Sequence, residues 1–319
     1  MAISRVAVIG AGEWGTALAQ AAAVAGRQVS LVGRNMEVLG EINRTHTNSR
    51  YLGPLQLSPH VSATNRYSGA DLIILAVPAQ MTRAALMDLG GISEPVVLSA
   101  KGLEHATLMR QSEVLADVAP NAIPFVLSGP SFAKDVAAGR PTAVSLAGDD
   151  ERLTAEVATA LAGPTFRPYA TSDRIGVELA GALKNVYALA AGAVDGARLG
   201  ASARAGVIAR GFAEMSRIVL RLGGHASSLT GLAGLGDLSL SCTTEQSRNY
   251  RHGVALGKGL APTGELAEGV FTAPVAQMLA RRAEVDAPLI DAVNLLLKGS
   301  QSIERIVAGL MSRPLKRED

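Results

Sequence analysis

Val6-Ala7-Val8-Ile9-Gly10-Ala11-Gly12-Glu13-Trp14-Gly15-Thr16-Ala17-Leu18-Ala19 sets four apolar residues before three glycines in G-x-G-x-x-G spacing, then an alanine-rich helical pattern. Alone, the glycine spacing is a weak signal; between a strand and a helix it gains meaning. Gly10 permits the tight turn, Gly12 lets backbone approach a pyrophosphate, and Gly15 allows close helix–sheet packing. The helix start then offers its unpaired N–H groups to the anion.

Working outward, short apolar runs alternate with helical stretches up to about residue 170. Strands are expected at 5–9, 28–32, 71–77, 95–99, 123–127, 142–146 and 165–169, each ending at or near Gly, Pro or Ser. The first several are almost uniformly apolar, as parallel strands covered on both faces are. Helices are expected between them, for example at 16–25 and 108–118. This alternation predicts an α/β doubly wound sheet of the Rossmann type. After Ser172 the strand pattern stops, and 174–193, 203–222, 271–284, 289–297 and 302–310 all read as helices. Two domains follow: 1–172 for the dinucleotide and 173–319, all-helical, for substrate and catalysis. The closing Lys316-Arg317-Glu318-Asp319 reads as a solvated tail.

The composition narrows the classes of function. The chain has 319 residues, 48% hydrophobic and 18% charged, with a net charge of +2. That balance disfavours a general nucleic-acid or membrane-surface binder. A single cysteine, Cys242, allows no internal disulfide or cysteine-based metal site, and reads as a packed thiol. Five scattered histidines suggest no metal site. The longest clear apolar run, Leu72 to Val77, is far short of the ~18 residues of a membrane span. With no signal-peptide pattern at the start, the expected setting is the cytoplasm.

The second strand bears on the choice of dinucleotide. Leu31-Val32-Gly33-Arg34-Asn35 carries no carboxylate where an NAD-only site usually places one. Arg34 can stack on adenine and pair with a 2′-phosphate, so NADP(H) is the expected preference with NAD(H) possible.

Further stretches carry a resemblance. They are Ser99-Ala-Lys101-Gly-Leu-Glu104, Ser128-Gly-Pro-Ser131-Phe-Ala133-Lys-Asp, Leu183-Lys184-Asn185-Val, Gly234-Leu-Gly-Asp237-Leu, Gln246-Ser247-Arg248-Asn249 and Ala267-Glu268-Gly269. In this order, from the glycine loop to about Gly299, the chain resembles the bacterial-type NAD(P)-dependent glycerol-3-phosphate dehydrogenases. The resemblance implies a Rossmann domain followed by a helical domain of the 6-phosphogluconate-dehydrogenase type, and a homodimer. It implies reversible reduction of dihydroxyacetone phosphate to sn-glycerol 3-phosphate, the glycerophospholipid backbone. It assigns cofactor contacts, besides the three glycines, to Glu13, Trp14, Arg34, Lys101, Ala133, Arg248, Leu266 and Glu268. It assigns substrate contacts to Lys101, Gly129, Ser131, Lys184, Asp237, Ser247, Arg248 and Asn249, with Lys184 as catalytic acid or base. No metal is implied. Glu13 departs from the small residue common at its position, and a carboxylate beside a pyrophosphate is repulsive unless it turns to solvent.

The chemistry suits these residue types. Ketone reduction needs a hydride donor, a proton donor and a group that holds the developing alkoxide. A lysine ammonium can polarise the carbonyl and then deliver the proton. An unperturbed lysine, with a pKa near ~10.4, is a poor base, and burial beside a second cation lowers it. Arg248, Ser247 and Asn249 offer a guanidinium, a hydroxyl and an amide to a phosphate near a helix start. Asp237 is costly to bury unless it pairs with Lys184 or binds a substrate hydroxyl. Two other readings compete: a related reductase of the ketopantoate or β-hydroxyacid type, and an NADP(H) sensor without turnover.

Overall fold

The computed structural model describes residues 3–261 and 264–314. The tail expected at 316–319 lies outside them. Two compact units form, each from two stretches of chain. The first runs to Gly181 and takes in Gly223–Asp237; the second holds Ala182–Leu222 and everything from Leu238 on.

The first unit is built on an eight-stranded sheet. Its strands are β1 (Arg5–Ile9), β2 (Gln28–Val32), β5 (Val61–Thr64), β6 (Leu72–Leu75), β7 (Pro95–Leu98), β8 (Ile123–Ser128), β9 (Thr142–Ala147) and β10 (Phe166–Thr171). A small hairpin of β3 (Thr47–Asn48) and β4 (Gly53–Gln56) stands apart. The sheet order is β10-β9-β8-β7-β6-β1-β2-β5. The chain thus builds outward from β1 to β5, then returns to β6 on the other side of β1. That reversal of direction is the position at which open α/β sheets collect ligands, beyond the strands' C-terminal ends.

Alternation along the strands fills a core on each face. Val6 and Val8 enter one cluster, Ala7 and Ile9 the other; Leu72 and Ile74 oppose Ile73 and Leu75 in the same way. Helices cover both faces, among them α1 (Glu13–Val24), α2 (Met36–Thr45), α3 (Ser49–Leu52), α4 (Thr82–Leu89), α5 (Gln111–Val118), α6 (Ala133–Ala137) and α7 (Glu151–Leu161).

Seven of the eight strands lie where the apolar runs place them. The edge strand β5 was not expected, because Val-Ser-Ala-Thr offers only two buried residues. The sheet also departs from a uniformly parallel one: β9 runs antiparallel to β8, while β10 is parallel to β9. The β8–β9 connection holds only the five-residue α6. With no full crossover helix between them, the chain turns back instead of recrossing the sheet.

No strand follows β10 among the described residues. The later helices are α8 (Arg174–Gly196), α9 (Ala201–Arg221), α10 (Ala226–Thr230), α11 (Asp237–Cys242), α12 (Arg248–Gly257), α13 (Glu268–Arg282), α14 (Pro288–Leu297) and α15 (Ile303–Met311). The helix expected to begin at Phe271 begins three residues earlier, at Glu268, after Ala267 as an N-cap without a side-chain hydrogen bond. Helix α8 is the only described helix long and apolar enough to cross a membrane, and 94% of its apolar window is buried inside the protein.

In the second unit, α8 and α12 meet through glycine. A Cβ at Gly192 or Gly253 would lie 2.1 Å from the carbonyl oxygen of Tyr250 or Leu189, and Gly196 and Gly257 are equally crowded. Glycine spaced one turn apart on each helix lets the two backbones touch. The Ala188–Ala193 stretch is packing surface, as its composition suggests.

Glu214, on α9, accepts from the N–H groups of Leu289 (2.7 Å) and Ile290 (3.3 Å) at the start of α14. Burial pushes its carboxyl up from 4.5 to about 7. The folded state therefore favours the protonated form, and that stabilisation is complete below 4.5 and lost as pH rises through about 7. Glu214→Gln should flatten thermal stability across this window; melting curves that keep the wild-type slope there would refute the linkage.

Candidate active site

The glycine turn follows β1 directly. Gly10 has a φ of 116°, and a Cβ on it would sit 2.5 Å from the Ala76 oxygen. A Cβ on Gly15 would lie 1.8 Å from the Gly10 oxygen, so α1 can approach the turn only if this residue is glycine. Gly12 is different: a Cβ there would meet nothing within 4 Å. Two of the glycines are explained by the protein's own packing and the third faces open space. Gly12 is also the N-cap of α1, and its carbonyl accepts from Thr16 N at 2.9 Å. The first-turn amides have no carbonyl partners within the helix and carry its positive dipole end. This turn fits the pyrophosphate of a dinucleotide. Glu13 and Trp14 open α1, both half-buried, and Arg34 stands exposed just past β2.

Beyond β7 lies a second group. Lys101 Nζ donates to Asp237 Oδ2 at 2.6 Å and to the Gly129 carbonyl at 2.9 Å. The Asp237 side chain is 2% exposed and that of Lys101 is 16% exposed. At this depth the carboxylate must be paired, and Lys101 is the partner its own unit supplies. Ser131 Oγ donates to the same Gly129 carbonyl at 3.0 Å. Gly129 has a φ of 150°, and a Cβ on it would lie 2.8 Å from the Val144 backbone. Ala133 starts α6 just beyond. Asp237 arrives through a π-helical turn, Leu232–Gly236; such turns recur at functional sites. The Ser128 hydroxyl, at the end of β8, is buried without a hydrogen-bond partner among the described residues.

The second unit carries the remaining residues. Lys184 is buried on α8, and its Nζ donates to Ser241 Oγ at 2.6 Å. Its neighbour Asn185 accepts from Asn249 Nδ2 at 2.9 Å, and Asn249 Oδ1 accepts from Gly269 N at 2.8 Å. One amide thus ties α12 to both α8 and α13. Ser247 caps α12 by accepting from Tyr250 N at 3.3 Å. Arg248 follows it in the first turn, exposed. Leu266 is exposed, and Glu268, half-buried, opens α13.

The structure therefore brings Lys101, Gly129, Ser131 and Asp237 into one hydrogen-bonded group. It sets Lys184, Ser247, Arg248 and Asn249 on packed helices of the other unit. Sequence reasoning passed over Ser241, although it lies one helical turn beyond Asp237 on α11. Asn185 had no role of its own in the sequence reading, being quoted only within the Lys184 stretch. Among the described residues no cluster of three or more His, Cys, Asp or Glu side chains is placed to hold a metal. Three of the five histidines are exposed and Cys242 is buried.

Residues 5–154 match the family of NAD-dependent glycerol-3-phosphate dehydrogenase N-termini, and residues 173–308 match the corresponding C-termini. A glycerol-3-phosphate dehydrogenase [NAD(P)+] from Bradyrhizobium diazoefficiens is 49% identical, with 100% of this chain and 99% of that one covered. One from Brucella canis is 46% identical over 99% of each chain. The crystal structure of glycerol-3-phosphate dehydrogenase from Coxiella burnetii is similar with a TM-score of 0.91 and 35% identity, covering 98% of this chain and 99% of that one. With both halves matched in order and such relatives aligned end to end, the chain belongs to the NAD-dependent glycerol-3-phosphate dehydrogenase family.

Proposed function

We propose that this protein catalyses the reversible reduction of dihydroxyacetone phosphate to sn-glycerol 3-phosphate with NAD(P)H, supplying the glycerophospholipid backbone. The observation that carries the reading is two lysines, one in each unit, each with a short hydrogen bond: the half-buried Lys101 on Asp237 and the buried Lys184 on Ser241. A neutral ketone carrying a phosphate asks for fixed cations and a proton source, and these two supply both.

The dinucleotide is held by Gly10, Gly12, Gly15 and the first turn of α1, with Glu13, Trp14, Arg34, Ala133, Leu266 and Glu268 as further contacts. A diphosphate here requires the Glu13 carboxylate to turn to solvent, since a carboxylate beside it is repulsive. When bound, the reduced nicotinamide supplies the hydride. The Lys184 ammonium polarises the carbonyl and gives its proton to the alkoxide oxygen as the C–H bond forms. In the reverse direction the neutral amine takes the alcohol proton. Ser241 fixes Nζ, limiting the rotamers from which the proton can leave. Lys101, held by Asp237 and Gly129, presents a fixed positive charge, with Ser131 beside it. Arg248 binds the substrate phosphate, while Ser247 and Asn249 hold the helix start that presents it. The resemblance that supports this reading also supports a homodimer acting in the cytoplasm.

The test is NADPH absorbance with dihydroxyacetone phosphate and, separately, with ketopantoate. Oxidation with the first alone is expected. Turnover of ketopantoate alone, or of neither, would refute the assignment.

NADP(H) is the proposed preferred form, through Arg34. Arg34→Asp removes the partner of the 2′-phosphate and adds repulsion, and is expected to weaken NADPH by about ten- to a hundredfold. NADH use should change much less. An unaltered NADPH/NADH ratio of kcat/KM would remove Arg34 from this role.

A further inference from the structure

Asn48 heads helix α3, a position where an asparagine side chain ordinarily caps the first turn. Here it makes no cap. The residue is completely buried, and its Nδ2 donates to Thr16 Oγ1 at 2.8 Å and to the Ala11 carbonyl at 3.3 Å. Both partners belong to the glycine turn: Ala11 lies between its first two glycines and Thr16 follows the third. The chain on each side of Asn48 is anchored as well. The Glu41 carboxylate accepts from Thr47 Oγ1 at 2.8 Å, from Ser49 N at 2.8 Å and from Ser49 Oγ at 3.0 Å.

In a planar trans peptide the carbonyl oxygen and the following amide hydrogen point to opposite sides. Fixing the Ala11 carbonyl on Asn48 therefore aims the Gly12 N–H away from Asn48. Gly12 is the loop glycine that faces open space.

We infer that Asn48 is a positioning residue for dinucleotide binding, holding the Ala11–Gly12 peptide so that the Gly12 N–H is ready to donate to the bound pyrophosphate. The inference rests on the dinucleotide site proposed above. Asn48 touches no reacting atom. Its contribution is to affinity, since a loop held in the binding orientation loses less freedom when the anion arrives.

The test is NADPH fluorescence titration of the full chain with Asn48→Asp, Asn48→Ala and Thr16→Val, alongside thermal unfolding and steady-state kinetics. Asn48→Asp keeps the shape but replaces the donor with an acceptor facing the Ala11 oxygen. It is expected to raise the NADPH Kd by about ten- to a hundredfold, with kcat at saturating NADPH within about threefold of wild type. Asn48→Ala should raise Kd in the same direction; should it fail to fold, the isosteric aspartate variant still decides. Thr16→Val keeps the Ala11 contact and should raise Kd less. A Kd within about twofold of wild type for Asn48→Asp, even with a lowered melting temperature, makes Asn48 purely structural and overturns the inference. So does an equal rise for Thr16→Val, which would trace the effect to helix packing. Failure of the wild-type chain to bind NADPH would instead overturn the dinucleotide site itself.

Discussion

Lys184→Ala is expected to lower kcat for dihydroxyacetone phosphate reduction by about 10²–10⁴-fold, the range over which a general acid–base group contributes. Loss of carbonyl polarisation adds to that figure. The NADPH Kd should stay within a few-fold, because the glycine turn belongs to the first unit and Lys184 to the second. Lys184→Arg should rescue poorly, since a guanidinium stays charged and does not exchange the proton. Retention of more than about a tenth of wild-type kcat would end the assignment. Lys101 and Asp237 would then be examined.

The second large effect concerns substrate phosphate. Arg248→Ala should raise KM for dihydroxyacetone phosphate by about ten- to a hundredfold, the loss expected when a charge-assisted hydrogen bond to phosphate is removed. NADPH affinity should fall by much less, though not by nothing, given the cofactor contact proposed for the same residue. The structure makes the experiment clean. The cap of α12 is made by Ser247 and its tie to α8 and α13 by Asn249, so removing the exposed Arg248 side chain leaves the helix start in place. Equal losses for both ligands would mean that the helix start had collapsed and would count against a phosphate role.

How much of this the sequence revealed follows from the range of the interactions involved. The glycine turn, seven of the strands and the change to an all-helical second half are written in local pattern: apolar runs, glycine punctuation and helical spacing. Residues such as Gly10 and Gly15 could be given their reasons in advance because those reasons lie within a few residues or in the adjacent strand. Reversal of β9 was not legible. A strand's apolar pattern is the same in either direction, and only the short connection before it shows which way the chain turns. The ion pair of Lys101 with Asp237 joins residues 136 apart, and no spacing rule relates them. Asp237 was expected to pair with Lys184 or with a substrate hydroxyl, and its pairing with Lys101 was not readable. Asn48 was missed for a similar reason: an asparagine before a short helix reads as an ordinary cap, and its use elsewhere shows only in three dimensions.

The return of Gly223–Asp237 to the sheet-bearing unit has a genetic consequence. Cutting the gene after the last sheet strand would give a polypeptide that holds every glycine of the dinucleotide turn yet lacks the carboxylate opposite Lys101. That ammonium would keep the Gly129 carbonyl and lose its ionic partner in a largely buried place. Removing one member of such a pair costs about 3–5 kcal/mol. The nucleotide-binding half is therefore not a cassette that can be cut out or shuffled in sequence order. A recombinant exchange that respects this architecture must move two separate pieces of the gene together, and Asp237 must travel with Lys101.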